Sequence, residues 1–219
     1  MAIGNATACL ILWSVLGAAA ARFPVEYRQW NHRARAGAMT VDETAISFVG
    51  AKTPARKWKL EDIRELKVAP AKLYLLSYER GYEFTGAIPA ADLYRMLQPL
   101  MGQRLVYQAG SIEGLAGVWW SAPVKHEAPR SASEGTLAFG ENAVVYETAA
   151  EGESRTWRYG DIDNIASSGP FQLTITTFER APWHYGDRKD FNFVLKQPIT
   201  EAGYNQLWLQ MERKNGRLP

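Results

Sequence analysis

Residues 37–48 read GAMTVDETAISF and residues 135–146 read GTLAFGENAVVY: a glycine, an apolar run, a polar turn and a second apolar run. The likeness continues beyond them. KWKLEDIREL at 57–66 answers TWRYGDIDNI at 156–165, and Tyr78-Glu79-Arg80 answers Phe178-Glu179-Arg180. The offset grows from 98 residues at the glycine to 99 at the tryptophan and 100 at the Glu-Arg pair. Insertions therefore fall between shared elements, in loops, where added residues are tolerated best. One small fold is written twice.

The 219 residues leave room for two small domains, and 47% hydrophobic content with eight tryptophans excludes a disordered chain. Net charge is +2, unevenly spread: residues 22–106 hold 14 Lys/Arg against 9 Asp/Glu, residues 107–219 hold 11 against 14. Neither half is basic enough to indicate nucleic acid. The first 21 residues carry no charged side chain, and ATACLILWSVLGAAAA fills positions 6–21. Two readings fit this leader. One is a signal peptide cleaved around 18–21, giving a secreted or periplasmic protein. The other is a short membrane anchor through residues 6–21, with the arginine-rich flank at 22–36 on the cytoplasmic side. Cys9, the single cysteine, lies inside the leader, so no disulfide staples the remainder.

Each copy reads as a hairpin, four further strands and a terminal helix, the fourth strand containing Leu66 or Ile165. Asp42-Glu43-Thr44 and Gly140-Glu141-Asn142 supply the hairpin turns. Trp58 and Trp157 occupy a third strand at core-facing positions; Asp62 and Asp161 mark the turn after it, placed to hold backbone N–H groups. KLYLLSYER and FQLTITTFER form a fifth strand, with Leu173, Ile175 and Thr177 sharing a face. GYEFTG and DFNFVLK alternate as a sixth. The tails are helical: Leu93, Met96, Leu97 and Leu100 form one stripe, and Tyr204, Leu207, Trp208 and Met211 the other, with Thr200 as its cap.

A glycine, the pattern L-x-F followed by A-V-V-Y, a Trp strand, a D-I turn, an F-E-R strand and a closing helix resemble the PH-like superfold in its GRAM-type bacterial variety. The resemblance covers 37–98 and 135–211 and rests on element order. It implies a mainly β protein with α: two PH-like, partly open β-barrels of seven strands, each closed by a C-terminal helix. The seventh strand is expected from the loop insertions or from residues before each glycine. The expected domains are a leader at 1–21, a first PH-like domain at 22–106, a connecting segment at 107–134 and a second PH-like domain at 135–219.

Chemistry is sparse. No nucleophile, activated base and oxyanion donors occur together, and no cofactor motif is found. His32 and His126 precede the two repeats without ligand-spaced partners, while His184, Asp187 and Asp190 are a weak metal triplet in an insertion of the second copy. The basic residues Arg56, Lys57, Lys59, Lys67 and Lys72 suit phosphate head groups, and Trp119 and Trp120 suit a membrane- or ligand-contacting loop. The expectation is therefore a non-catalytic binding or scaffolding protein of the cell envelope with a protein partner. The alternatives are a peripheral protein on anionic lipid and a small Asp/His-dependent hydrolase.

Overall fold

A computed structural model describes residues 20–29, 32–51, 53–128, 132–181 and 188–218. The leader expectations for 1–19, and His184 and Asp187, lie outside the described residues. The first half runs β1 (Ala21–Gln29), β2 (Arg35–Val41), β3 (Ala45–Gly50), β4 (Thr53–Lys59), β5 (Ile63–Ala69), β6 (Lys72–Ser77), β7 (Gly81–Gly86) and α1 (Ala90–Met101). A short strand, β8 (Leu105–Tyr107), follows. The second half then repeats the order: β9 (Trp120–Glu127), β10 (Ala132–Phe139), β11 (Ala143–Thr148), β12 (Arg155–Arg158), β13 (Ile162–Gly169), β14 (Gln172–Thr177), β15 (Lys189–Leu195) and α2 (Glu201–Lys214).

Among the described residues each half holds seven strands followed by a helix, with β1 and β9 lying before Gly37 and Gly135. Segment 107–134 supplies β9, which stands between β15 and β10 inside the second half.

The expectation of two barrels, each closed by its own helix, is overturned. The fifteen strands of the described residues form one mixed, open sheet, ordered β13-β14-β15-β9-β10-β11-β12-β8-β5-β6-β7-β1-β2-β3-β4. The physical reason is β8. A strand edge leaves backbone N–H and C=O groups unpaired, and β8 satisfies two edges at once. It lies parallel to β5, pairing Leu66 with Leu105 and Val68 with Tyr107, and antiparallel to β12 through Thr156 and Tyr107.

The sheet is nonetheless strongly coiled within each half. β4 and β7 stand four places apart, roughly 19 Å across a flat sheet, yet the Trp58 and Tyr82 ring centroids are 4.8 Å apart. Trp157 and Phe191 repeat the relation across β12 and β15, also at 4.8 Å. Each half thus wraps a core of its own. Matching registers define five equivalent aromatic positions: Tyr27, Phe48, Trp58, Tyr82 and Phe84 in the first core, His126, Tyr146, Trp157, Phe191 and Phe193 in the second. Such ring pairs add about 0.5–1.5 kcal/mol each beyond area burial. His126 therefore corresponds to Tyr27 rather than to His32, which is exposed.

Local chemistry explains the turns and caps. Asp42 Oδ1 accepts the Thr44 and Ala45 amides at 2.7 and 2.8 Å, closing the β2–β3 hairpin. Thr200 caps α2, its Oγ1 accepting from the Gly203 amide at 3.1 Å. The buried stripe of α1 is Leu93, Leu97 and Met101, and that of α2 is Leu207 and Met211. Leu100 and Trp208, expected on those stripes, are exposed. Both lie about 100° around the helix from a buried neighbour, so one position of drift turns them to solvent.

Candidate functional site

Two regions gather the charged residues singled out in the sequence: the junction between the halves and the free edge at β4. At the junction, Glu179 follows β14 and is 3% exposed. It receives Arg155 Nε from β12 at 3.1 Å, Lys67 Nζ from β5 at 3.0 Å and Lys189 Nζ from β15 at 3.2 Å. Lys67 also reaches the buried Glu65 at 3.2 Å, and the Arg180 amide donates to Glu65 Oε2 at 2.7 Å. Two carboxylates thus sit among three cations, drawn from both halves.

Each group feels a different balance. Burial works to raise the Glu179 pKa, but Arg155, Lys67 and Lys189 outweigh it and hold the carboxyl well below its ordinary range. Glu65 is pushed up by burial despite Lys67 and the Arg180 amide. Lys67 is raised: burial pulls down, while Glu179 and Glu65 pull up more strongly. Lys189 is lowered by burial, against the pull of Glu179. The cluster locks two halves together; each ion it buries already has a partner in the fold.

The opposite end of the junction is pinned by neutral and mixed contacts. Arg104 Nη1 donates to the Leu60 and Ile63 carbonyls at 2.8 and 2.7 Å. Gln103 Nε2 donates to Gly160 O at 3.0 Å and Arg158 Nη2 to Gly102 O at 3.2 Å. Tyr94 and Tyr107 stack at 4.6 Å, and burial pushes the Tyr94 hydroxyl up to about 12. A cleft of about 410 Å³ opens there beside Gln103, Arg158, Asp161 and Lys214.

The structure divides the five basic residues. Lys67 is committed to the junction, and Lys72 extends to Glu151 at 3.4 Å. They share a cleft of about 360 Å³ with Tyr74, Glu83 and Gln108. Arg56, Lys57 and Lys59 lie together on β4, all exposed. Lys59 pairs with Glu61 at 3.1 Å; among the described residues, Arg56 and Lys57 form no ion pair. Alternation along β4 puts Lys57 and Lys59 on the outer face. Arg56 shares the face of buried Trp58, its guanidinium about 6 Å from the Tyr27 and Tyr82 ring centroids.

Trp119 and Trp120 pack rather than protrude. Their rings lie 5.3 and 4.5 Å from Phe139, and Trp119 Nε1 donates to Gly140 O at 3.1 Å. Trp58 and Trp157 are core residues at matching positions. Asp161 does hold its turn, accepting the Arg158 amide at 3.1 Å and the Arg158 guanidinium at 2.8 Å, while Asp62 is exposed. Asp190 Oδ1 accepts from Thr176 Oγ1 at 2.7 Å on a strand face. Among the described residues no three His, Cys, Asp or Glu stand close enough to hold a metal, and no helix is long and apolar enough to cross a membrane.

Sequence reasoning missed the role of Glu179. The signal was Lys67 and Val68, which have Ala166 and Ser167 at the matching places of β13.

No protein-family model matches the chain, and no curated protein matches it. Among solved structures, the chain is similar to one from the Spt16D Pob3N heterodimer, at 13% identity and a TM-score of 0.35, covering 83% of this chain and 99% of that one. It is also similar to the C-terminal domain of an unknown protein from Leishmania infantum, at 14% identity and a TM-score of 0.32, covering 55% and 95% respectively.

Proposed function

We propose that the chain is a non-catalytic scaffolding protein of the cell envelope, PH-like and GRAM-type in affinity, that holds a protein partner on the open basic edge of its first half. One observation carries this reading. The equivalent edge of the second half, β12, is covered by a strand from outside its own repeat, whereas β4 ends the sheet with Arg56 and Lys57 unengaged by any ion pair among the described residues. An edge of this type, in this fold, has already accepted a strand once.

Peripheral lipid binding is less well supported. Of the five basic residues, Lys67 is spent on Glu179 and Glu65, and both tryptophans of the apolar loop pack against Phe139. The envelope location rests on the uncharged leader and belongs to the same proposal.

A photo-crosslinking side chain at position 57 of the full chain, in cells that naturally make it, tests the reading. A discrete protein adduct at 57, absent when the same group stands at position 167, is expected. Adducts to lipid alone, or equal labelling from both positions, contradict it.

A further inference from the structure

We infer that β4 binds an extended, acidic peptide segment of the partner by strand addition, the partner's carboxylates lying opposite Lys57 and Lys59. This rests on the protein-docking reading above and gives it a chemistry.

The duplication makes the argument. Arg56-Lys57-Trp58 on β4 and Arg155-Thr156-Trp157 on β12 are equivalent, because Trp58 pairs with Ile46 as Trp157 pairs with Val144. In the second half, the backbone at Thr156 pairs with Tyr107 of β8, and Thr156 Oγ1 donates to Ala109 O at 2.8 Å. Arg155, one residue earlier, has the Glu179 carboxylate at 3.1 Å. In the first half, no strand among the described residues pairs with the outer edge of β4 at Lys57, and Glu79, the counterpart of Glu179, is exposed. Among the described residues, the edge therefore lacks two things its copy has: a neighbouring strand and a carboxylate on the arginine.

Charge decides what kind of strand fits. Seven residues of β4 carry Arg56, Lys57 and Lys59 and no acid. Edge lysines and the proline at Pro54 discourage indiscriminate pairing. The same lysines admit a strand with acids at facing positions, since opposite charges across a strand pair attract and like charges repel. Pro54 stands near the start of β4, leaving residues 55–59 for pairing.

The other sheet end is a built-in contrast. β13 carries Ala166, Ser167 and Ser168 in an irregular stretch, with a register shift between Ala166 and Gly169. β4 has a register shift too, opposite Phe48 and Gly50, so the two ends differ in charge: β13 presents no cation to an acidic strand.

The test uses the full chain and two labelled seven-residue peptides, one alternating Glu with Val and one alternating Lys with Val. Fluorescence anisotropy reads binding, and amide hydrogen exchange reads where the peptide lies. The Glu peptide is expected to bind, to slow exchange at residues 55–59, and to weaken several-fold between about 50 and about 300 mM salt. Lys57→Glu should weaken it about tenfold, a 1.4 kcal/mol change, and should confer binding of the Lys peptide. That gain separates charge selection from misfolding of the variant.

No binding of the Glu peptide, binding that leaves residues 55–59 unprotected, or equal binding of both peptides would overturn the inference. A crosslinked protein at position 57 without Glu-peptide binding would sink the acidic-strand chemistry and leave the docking reading intact. Loss of both would end both. Binding of the chain to anionic vesicles with the same slowed amides, and no peptide binding, would assign the edge to lipid and also overturn it.

Discussion

The same two side chains occupy the same two places in each half and do opposite things. Arg155 and Glu179 are buried at the junction, 3.1 Å apart, with Lys67 and Lys189 around them. Arg56 and Glu79 are their counterparts, and both are exposed. Local sequence does not separate these pairs; what differs is the chain that covers them. β5 and β8 lie over the second-half edge, and among the described residues nothing lies over the first. A duplicated fold thus carries one site in a filled state and one in an open state.

The comparison breaks most sharply at Glu179. Removing one member of a buried ion pair strands charge in a low-dielectric site and costs about 3–5 kcal/mol. Glu179→Ala is expected to lose that much by denaturant unfolding, whereas Glu79→Ala should stay within about 0.5 kcal/mol. Equal losses would mean that the two sites are not in different states. A hydrophobic control sharpens this: Trp58→Ala and Trp157→Ala should each cost about 3–5 kcal/mol, because both rings fill matching cores. A large gap between those two variants would deny the equivalence of the cores.

The next effect in size lies along β5 and β13. Val68 is fully buried in the first-half core, while Ser167 at the matching place is exposed. Val68→Ala should cost about 2 kcal/mol and Ser167→Ala no more than about 0.5 kcal/mol. Unfolding midpoints of the two variants read the difference directly.

Acid should titrate the junction in a defined order. Glu65, its pKa raised by burial, takes up its proton above the ordinary glutamate value of 4.5. That group favours the fold more as pH falls, because the native state prefers it neutral. Glu179, with its pKa depressed, contributes stability that is complete above 4.5 and disappears only as pH falls through its lower folded value. Carboxyl carbon titration should place the Glu65 midpoint above that of Glu179. The reverse order would contradict the assigned balance of burial and charge. The smallest effect is at the cap: Thr200→Ala should cost about 1 kcal/mol, seen as faster amide exchange in the first turn of α2.

Much of this is legible in the sequence. Strand alternation at Leu173, Ile175 and Thr177, the two tryptophan positions, the Asp42 turn and the Thr200 cap are local signals, and each is written within a few residues. Continuity of the sheet is not local. Leu105-Val106-Tyr107 is three residues long and looks like any short apolar run; its meaning comes from lying between β5 and β12. The ionic cluster escaped for the same reason: Lys67 and Glu179 are 112 residues apart, and Glu-Arg reads identically in both copies. The helix stripes failed for a smaller reason, since one turn of an amphipathic helix tolerates neighbouring choices at 100 against 101 and 207 against 208.

The fusion of two repeats through β8 is the claim on which the rest depends, and amide hydrogen exchange at residues 105–107 tests it most directly. If β8 is held by β5 along Leu105 to Tyr107 and by β12 at Tyr107, these amides, Tyr107 above all, exchange as slowly as the neighbouring core strands. Exchange at the rate of the loop at 111–118 would mean that no strand joins the halves, and the filled edge that gives the open one its meaning would not exist.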